Sequence, residues 1–182
     1  MQLRNQDGCG VFYFNLFIDG IVTIVERVSS LSDVTIRKAV AADIDGMVEL
    51  LGVLFAVEAD FQIDASRQKQ GLAILLKCDD RSCMLVAEFN RFIIGMCSAQ
   101  LLVSTAEGGL KAIVEDLVVA AEYRKLGVGR RLLAEIEHWA CGQGVKRLDL
   151  LADSCNSGAL NFYEQLMWKR TNLVGLQKKI LL

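Results

Sequence analysis

Between Glu115 and Leu133 the sequence runs EDLVVAAEYRKLGVGRRLL, a β-rich stretch that passes through a glycine loop directly into an amphipathic helix. Val128, Leu132, Ile136 and Trp139 recur at helical spacing on one face of that helix. Four cations, Arg124, Lys125, Arg130 and Arg131, crowd its amino end. That is the wrong sign for the helix dipole, which favours acids there by about 0.3 to 1 kcal/mol each. Cations beside free backbone N–H groups make sense when a polyanion sits among them, and Gly127 and Gly129 remove side chains that would hold it off. The loop therefore predicts a phosphate-bearing ligand, the plainer alternative being a turn with a solvated helix end. A dinucleotide fingerprint fails because Leu132 stands where its third glycine belongs, and no GK[ST] follows the loop.

The elements around this segment alternate. The spacing predicts a strand over Val34–Ala39 and a helix opened by Asp43 and Asp45, with Ile44, Met47, Val48, Leu51, Leu54 and Phe55 on its apolar face. A second helix is expected over about Ala65–Lys77, then strands over Ser82–Glu88 and Phe92–Val103 joined tightly through Phe89-Asn90-Arg91. One further strand is expected over Lys111–Val119, sharing a face between Glu115, Leu117 and Val119 and leaving Asp116 with Val118 on the other. After the loop helix, which stops at Gly142 and Gly144, come a strand over Arg147–Ala152, a helix over Ser157–Leu166 and terminal strands near Trp168 and Gln177. This is an α/β (α+β) pattern of one domain over 33–182. Residues 1–32 form an extension in which Asp19-Gly20 between two β-rich runs predicts a hairpin. Such a hairpin must pack on this domain or on a second copy, so a homodimer is one expectation.

Composition excludes several classes. Net charge is −2, which gives nucleic acid no basic face to bind. The apolar run 11–25 is interrupted by Asn15 and Asp19 and is too short to span a bilayer, so no membrane segment is expected. Six cysteines contain no CxxC pair, and His138 is the single histidine, so no metal site is expected. His138 and Cys141, three apart on one helix, read as a surface histidine beside a packed cysteine. Cysteines inside apolar runs point to free thiols and a cytoplasmic setting. There is no proline.

Arg-x-x-Gly-x-Gly over Arg124–Gly129 resembles the acetyl-CoA pyrophosphate loop of the GNAT superfamily of N-acetyltransferases. A second segment, Asn156-Ser-Gly-Ala-Leu-Asn-Phe-Tyr163, is similar to that family's later N-x-x-A-x-x-F-Y helix. The likeness covers roughly 33–182 and within the superfamily is greatest to the diamine and polyamine acetyltransferases. It implies a mixed, mostly antiparallel central sheet flanked by helices. Two departures are Ala121, where the family often has proline, and Met167, where it often has glycine.

The resemblance also implies roles. Acetyl-CoA, as co-substrate, would lie along Leu117, Val118 and Val119 and on the loop Arg124, Lys125, Leu126, Gly127, Val128, Gly129 and Arg130, with Asn156 near its pantetheine or adenosine-phosphate part. Glu115 takes the general-base position, acting through water, and Tyr163 the position beside the departing sulfur. A base is useful because an amine of pKa ~10.4 is only about 0.04% neutral at pH 7. The plainer alternatives are a solvated strand carboxylate for Glu115, a core aromatic for Tyr163 and a helix cap for Asn156. The first two helices and their connection would form the acceptor wall. There Glu58, Asp60 and Asp64 surround Phe61, which suits a small cationic amine unless the acids are merely solvated. Acetylation of a protein amino group and a non-enzymatic acyl-CoA sensor are the other readings.

Overall fold

The longest strand, thirteen residues from Phe92 to Ser104, is the spine on which the other elements are hung. The computed structural model describes residues 15–18, 21–24, 33–56 and 63–180. Strands β1 (Asn15–Ile18) and β2 (Ile21–Ile24) pair antiparallel with Ile18 opposite Ile21, while Asp19-Gly20 lies outside the described residues. Then follow β3 (Thr35–Lys38), α1 (Ile44–Phe55), α2 (Ala65–Lys77), β4 (Ser82–Phe89), β5 (Phe92–Ser104), β6 (Gly109–Val114), β7 (Val118–Val119), α3 (Val128–Gly142), β8 (Leu148–Leu150) and α4 (Ser157–Gln165). The main sheet runs β3-β4-β5-β6-β8, with β7 also paired to β5. Its pairs are antiparallel except β6 with β8, which the α3 crossover makes parallel.

The β4–β5 hairpin closes over two residues, Asn90 and Arg91, because Phe89 already pairs with Phe92. Both turn residues have positive φ, 49° and 68°, the backbone twist that two-residue hairpins need. β4 is buried along nearly all its length, since each of its faces meets a different layer. Cys83, Leu85, Ala87 and Phe89 point to α3 with Val128, Leu132, Leu133 and Ile136. Met84 and Val86 point to α1 and α2 with Met47, Leu50, Leu51, Leu72, Met96 and Val118. Cys83 and Cys97 are free thiols within the first layer, and burial pushes the Cys83 thiol up to about 11 and that of Cys97 further.

Three expectations fail. The strand expected over Lys111–Val119 is broken into β6 and β7, for a reason given below. Terminal strands near Trp168 and Gln177 are absent among the described residues: 169–180 carries no regular structure, and Leu173, Val174 and Leu176 are exposed. Their apolar residues are consecutive rather than alternating, Gly175 interrupts them, and β8 offers an edge of only three residues. Cys141 is exposed rather than packed. Among the described residues no helix is long and apolar enough to cross a membrane, and no group of His, Cys, Asp or Glu is arranged to hold a metal ion.

Candidate functional site

β5 pairs with β6 through Ala99 and Val114, and with β7 through Met96 and Val118, so four steps on one strand face three on the other. The Glu115 N–H still reaches Ser98 O at 2.9 Å, which keeps Glu115 in the β6 register. The extra residue therefore falls at Asp116-Leu117, opposite Cys97, as a β-bulge. A bulge shifts every later side chain to the other face. Val114, Leu117 and Val119 all pack in the α3 layer, and Val118 in the α1–α2 layer. Glu115 stands opposite Ser98, whose partner across β4 is Met84 of the α1–α2 layer. Glu115 thus does not share a face with Leu117 and Val119, because the expected alternation took no account of an inserted residue.

The same region opens the sheet. β8 follows β6 only as far as Val114, and β7 has no partner on that side among the described residues. Ala120 donates to Ile94 O across β5, so by antiparallel alternation the Val119 N–H and C=O point away from β5, toward the uncovered edge. That carbonyl accepts from Arg124 Nε at 2.9 Å, tying the loop back to the strand.

α3 begins at Gly127, whose φ of 83° lies in the left-handed region where glycine alone is unstrained. Neither a capping side chain nor a first-turn acid is present. The first intrahelical bond is Arg131 N–H to Gly127 O, so the N–H groups of Val128, Gly129 and Arg130 have no acceptor within the helix. A Cβ at Gly129 would stand 3.4 Å from Phe162 Cζ and 3.8 Å from Val119 Cγ2, which leaves room for a methyl and little more. Of the four cations, Arg131 turns back to the sheet, donating to Val34 O at 2.9 Å. Arg124, Lys125 and Arg130 are exposed, and none of the ion pairs among the described residues includes them. The side chains of Val118 and Val128 are buried in the core and that of Leu117 packs against it, so any ligand contact there falls to their backbone.

α4 lies beside this terminus through Phe162. The Tyr163 ring meets Phe162 edge-on at 5.3 Å and Trp168 at 5.9 Å, partly buried against the α3 layer. Glu115 and Tyr163 therefore approach the open edge from opposite faces of the sheet. Asn156 Oδ1 accepts from Ala159 N at 3.0 Å and caps α4. Met167 has φ 67°, which explains why glycine suits the position that the resemblance marks as a departure.

On the acceptor side, Glu58, Asp60 and Phe61 lie outside the described residues. Asp64 caps α2, accepting from Ser66 N and Arg67 N at 3.1 Å each, and pairs with Arg67. Its charge is thereby engaged in the helix. Sequence reasoning passed over Ser98 and Gln68, and set Asp116 behind Glu115 as the weaker candidate on the other face of its strand. Burial raises the Asp116 carboxyl above its usual range; its own backbone N–H and the nearby Ser98 hydroxyl temper the rise. Ser98, only 1% exposed, has no partner for its hydroxyl among the described residues other than that carboxyl. Gln68, 8% exposed, has both amide atoms buried without a partner among the described residues. Its position four residues before Leu72 in the apolar stripe of α2 was the available signal.

The sequence matches the acetyltransferase (GNAT) family over residues 50–167. No curated protein matches it significantly. Among solved structures, a transcriptional regulator from Bacillus halodurans C-125 is 25% identical, with TM-score 0.68 over 81% of this chain and 99% of that one. An aminoglycoside acetyltransferase from an uncultured soil metagenomic sample, solved with sisomicin, is 17% identical, with TM-score 0.67 over 82% and 98%. Glucosamine-6-phosphate N-acetyltransferase from Arabidopsis thaliana is 19% identical, with TM-score 0.65 over 80% and 97%. At such identities the last two establish likeness of fold alone.

Proposed function

The chain belongs to the acetyltransferase (GNAT) family, and from that premise we propose that it transfers an acetyl group from acetyl-CoA to a primary amine on a small cationic acceptor. The observation that carries this reading is the uncapped amino end of α3, with Lys125 and Arg130 exposed around it, beside a sheet edge left open at Val119. Backbone N–H groups of Val128–Arg130 and the two cations suit a pyrophosphate. The pantetheine then runs along the open edge, where the Val119 N–H is aimed to receive the acetyl carbonyl oxygen; such a donor is worth ~2.7 to 4 kcal/mol in the transition state.

The open edge joins the two faces of the sheet, so the thioester enters from the α3–α4 side and the amine from the α1–α2 side. The amine nitrogen attacks the carbonyl carbon, the C–S bond breaks, and the amine proton passes through water to Glu115. Tyr163, on the other face, aligns the sulfur; a phenol of pKa ~10 gives its proton reluctantly to a thiolate of pKa ~8.5, so alignment is its main contribution. Two neighbours of the same fold are named for an aminoglycoside and for glucosamine 6-phosphate, which supports a small acceptor over a protein. The buried free thiols Cys83 and Cys97 fit a cytoplasmic setting.

The test is thiol release from acetyl-CoA with cadaverine, spermidine, glucosamine, kanamycin and a lysine peptide as acceptors. Release that depends on a small amine, and falls ~10² to 10⁴-fold in Glu115→Gln, is expected. Binding of acetyl-CoA without turnover would identify a sensor, and turnover of the peptide alone would identify a protein acetyltransferase.

A further inference from the structure

Val114 and Leu117 both pack in the α3 layer, Leu117 together with Cys97. Strict alternation along a strand leaves one residue between two such positions, yet here there are two, Glu115 and Asp116. Glu115 keeps the ladder through its N–H to Ser98 O at 2.9 Å. Asp116 does not: among the described residues its N–H reaches no backbone carbonyl. The Asp116 carboxyl accepts instead from that N–H and from the Ser98 hydroxyl, and none of the ion pairs among the described residues includes it. Glu115 beside it is exposed, whereas Asp116 is half-buried. A bulge N–H, a hydroxyl shut away from solvent and a carboxyl would each be costly to bury alone, and here they satisfy one another.

What this cluster fixes is the register. Glu115 stands immediately before it, opposite Ser98, and the Val119 N–H faces the open edge just after it. An extra residue that moved by one position would exchange the faces of the side chains between them. The base and the carbonyl-binding donor of the proposed transfer therefore both depend on where that residue sits. Resting on the acetyltransferase reading, we propose that Asp116 is a positioning residue: by bonding its own N–H and Ser98 it pins the bulge, and so holds Glu115 and the Val119 N–H in the arrangement that the transfer needs. Asp116 takes no proton from the amine. The position requires an acceptor for the N–H and a partner for a hydroxyl that can donate or accept, so an amide can replace the acid and a methyl group cannot.

The experiment compares the wild type with Asp116→Asn, Asp116→Ala, Ser98→Ala and the double variant Asp116→Ala/Ser98→Ala. Thiol release is measured with each acceptor named above, and hydrogen–deuterium exchange is followed in the peptide spanning 114–119. Asp116→Ala should lower kcat at least about ten-fold, since misplacing reacting groups by about 1 Å costs up to ~10²-fold. Acetyl-CoA affinity should not change, and exchange should quicken across 114–119 but not in α3. Asp116→Asn should keep both readouts near wild type, and Ser98→Ala should add little to Asp116→Ala because the two side chains share one hydrogen bond. Should Asp116→Ala fail to fold, Ser98→Ala alone is read for the same fall in kcat and the same local exchange. A loss in Asp116→Asn as deep as in Asp116→Ala would make Asp116 a proton carrier and overturn the proposal. Fully additive effects, or a lowered Tm with kcat and local exchange unchanged, overturn it as well. A wild type that binds no acetyl-CoA, or releases thiol with none of the acceptors, overturns the acetyltransferase reading itself; exchange still reports whether Asp116 pins the bulge, and so the two failures are distinguishable.

Discussion

The corner between β3 and α1 and the corner between β7 and α3 both gather arginine, and they treat it in opposite ways. At the first, Arg37 makes a two-pronged contact with Asp43 at 2.7 and 2.8 Å and a further pair with Glu88 at 2.6 Å. Hydrogen bonding to Arg37 holds the Asp43 carboxyl below its usual range against the opposing effect of burial, and hydrogen bonding to Asp43 raises Arg37 further. Asp43 also accepts from Val40 N at 2.8 Å, closing the turn into α1. At the second, three exposed cations stand at an uncapped helix end, and none of the ion pairs among the described residues includes them. Charge closed within the chain fixes a corner; charge of one sign left open at a row of free N–H groups suits an external anion.

The largest expected effect breaks that comparison from the open side. Gly129→Glu adds an anion where the pyrophosphate should lie and drives a long side chain at Phe162 and Val119. Acetyl-CoA affinity, measured calorimetrically, should fall by at least about a hundred-fold, ~2.7 kcal/mol. Gly129→Ala, whose methyl fits, should stay close to wild type. Affinity retained in Gly129→Glu would remove the loop from the account.

Asp43→Ala tests the closed side. It leaves Arg37 with one carboxylate, and because Arg37 is one-third exposed the loss should be moderate, about 2 kcal/mol. Tm should drop by roughly 4 to 8 °C for a chain of this size, with acetyl-CoA affinity unchanged. A large change in affinity with no change in Tm would reverse the roles assigned to the two corners.

The open corner was legible in sequence because glycine and cation placement are local properties. Gly127 and Gly129 do different work, one taking a left-handed φ and the other a close approach, and both were visible as absent side chains. The limits of α2 were likewise set by local spacing. What escaped were facts that need a partner strand. The bulge after Glu115 appears only when β6 and β7 are laid against β5, and with it went the assignment of faces. The loss of Arg131 from the cation group depends on Val34, nearly a hundred positions away. The terminal strands were inferred from apolar content, which does not supply an edge to pair with.

A smaller effect sharpens the open side. Lys125→Ala and Arg130→Ala should each weaken acetyl-CoA about ten-fold at low salt, the scale of one charge-assisted hydrogen bond. The penalty should shrink at high salt, since both side chains are exposed. A penalty independent of salt would point to a structural role. The smallest concerns acid. Asp43 has a lowered folded-state pKa, so its contribution is present above the ordinary value of ~3.9 and is lost as pH falls through the folded value. Stability should therefore decline below about pH 4, and less steeply in Asp43→Asn, as read by thermal melts across pH.

The most direct test of the central claim is a calorimetric titration of the full-length chain with acetyl-CoA at two salt concentrations. Saturable one-to-one binding that weakens as salt rises is the result predicted by an open cationic helix end. Absence of binding at either salt, with the fold intact by circular dichroism, would contradict it.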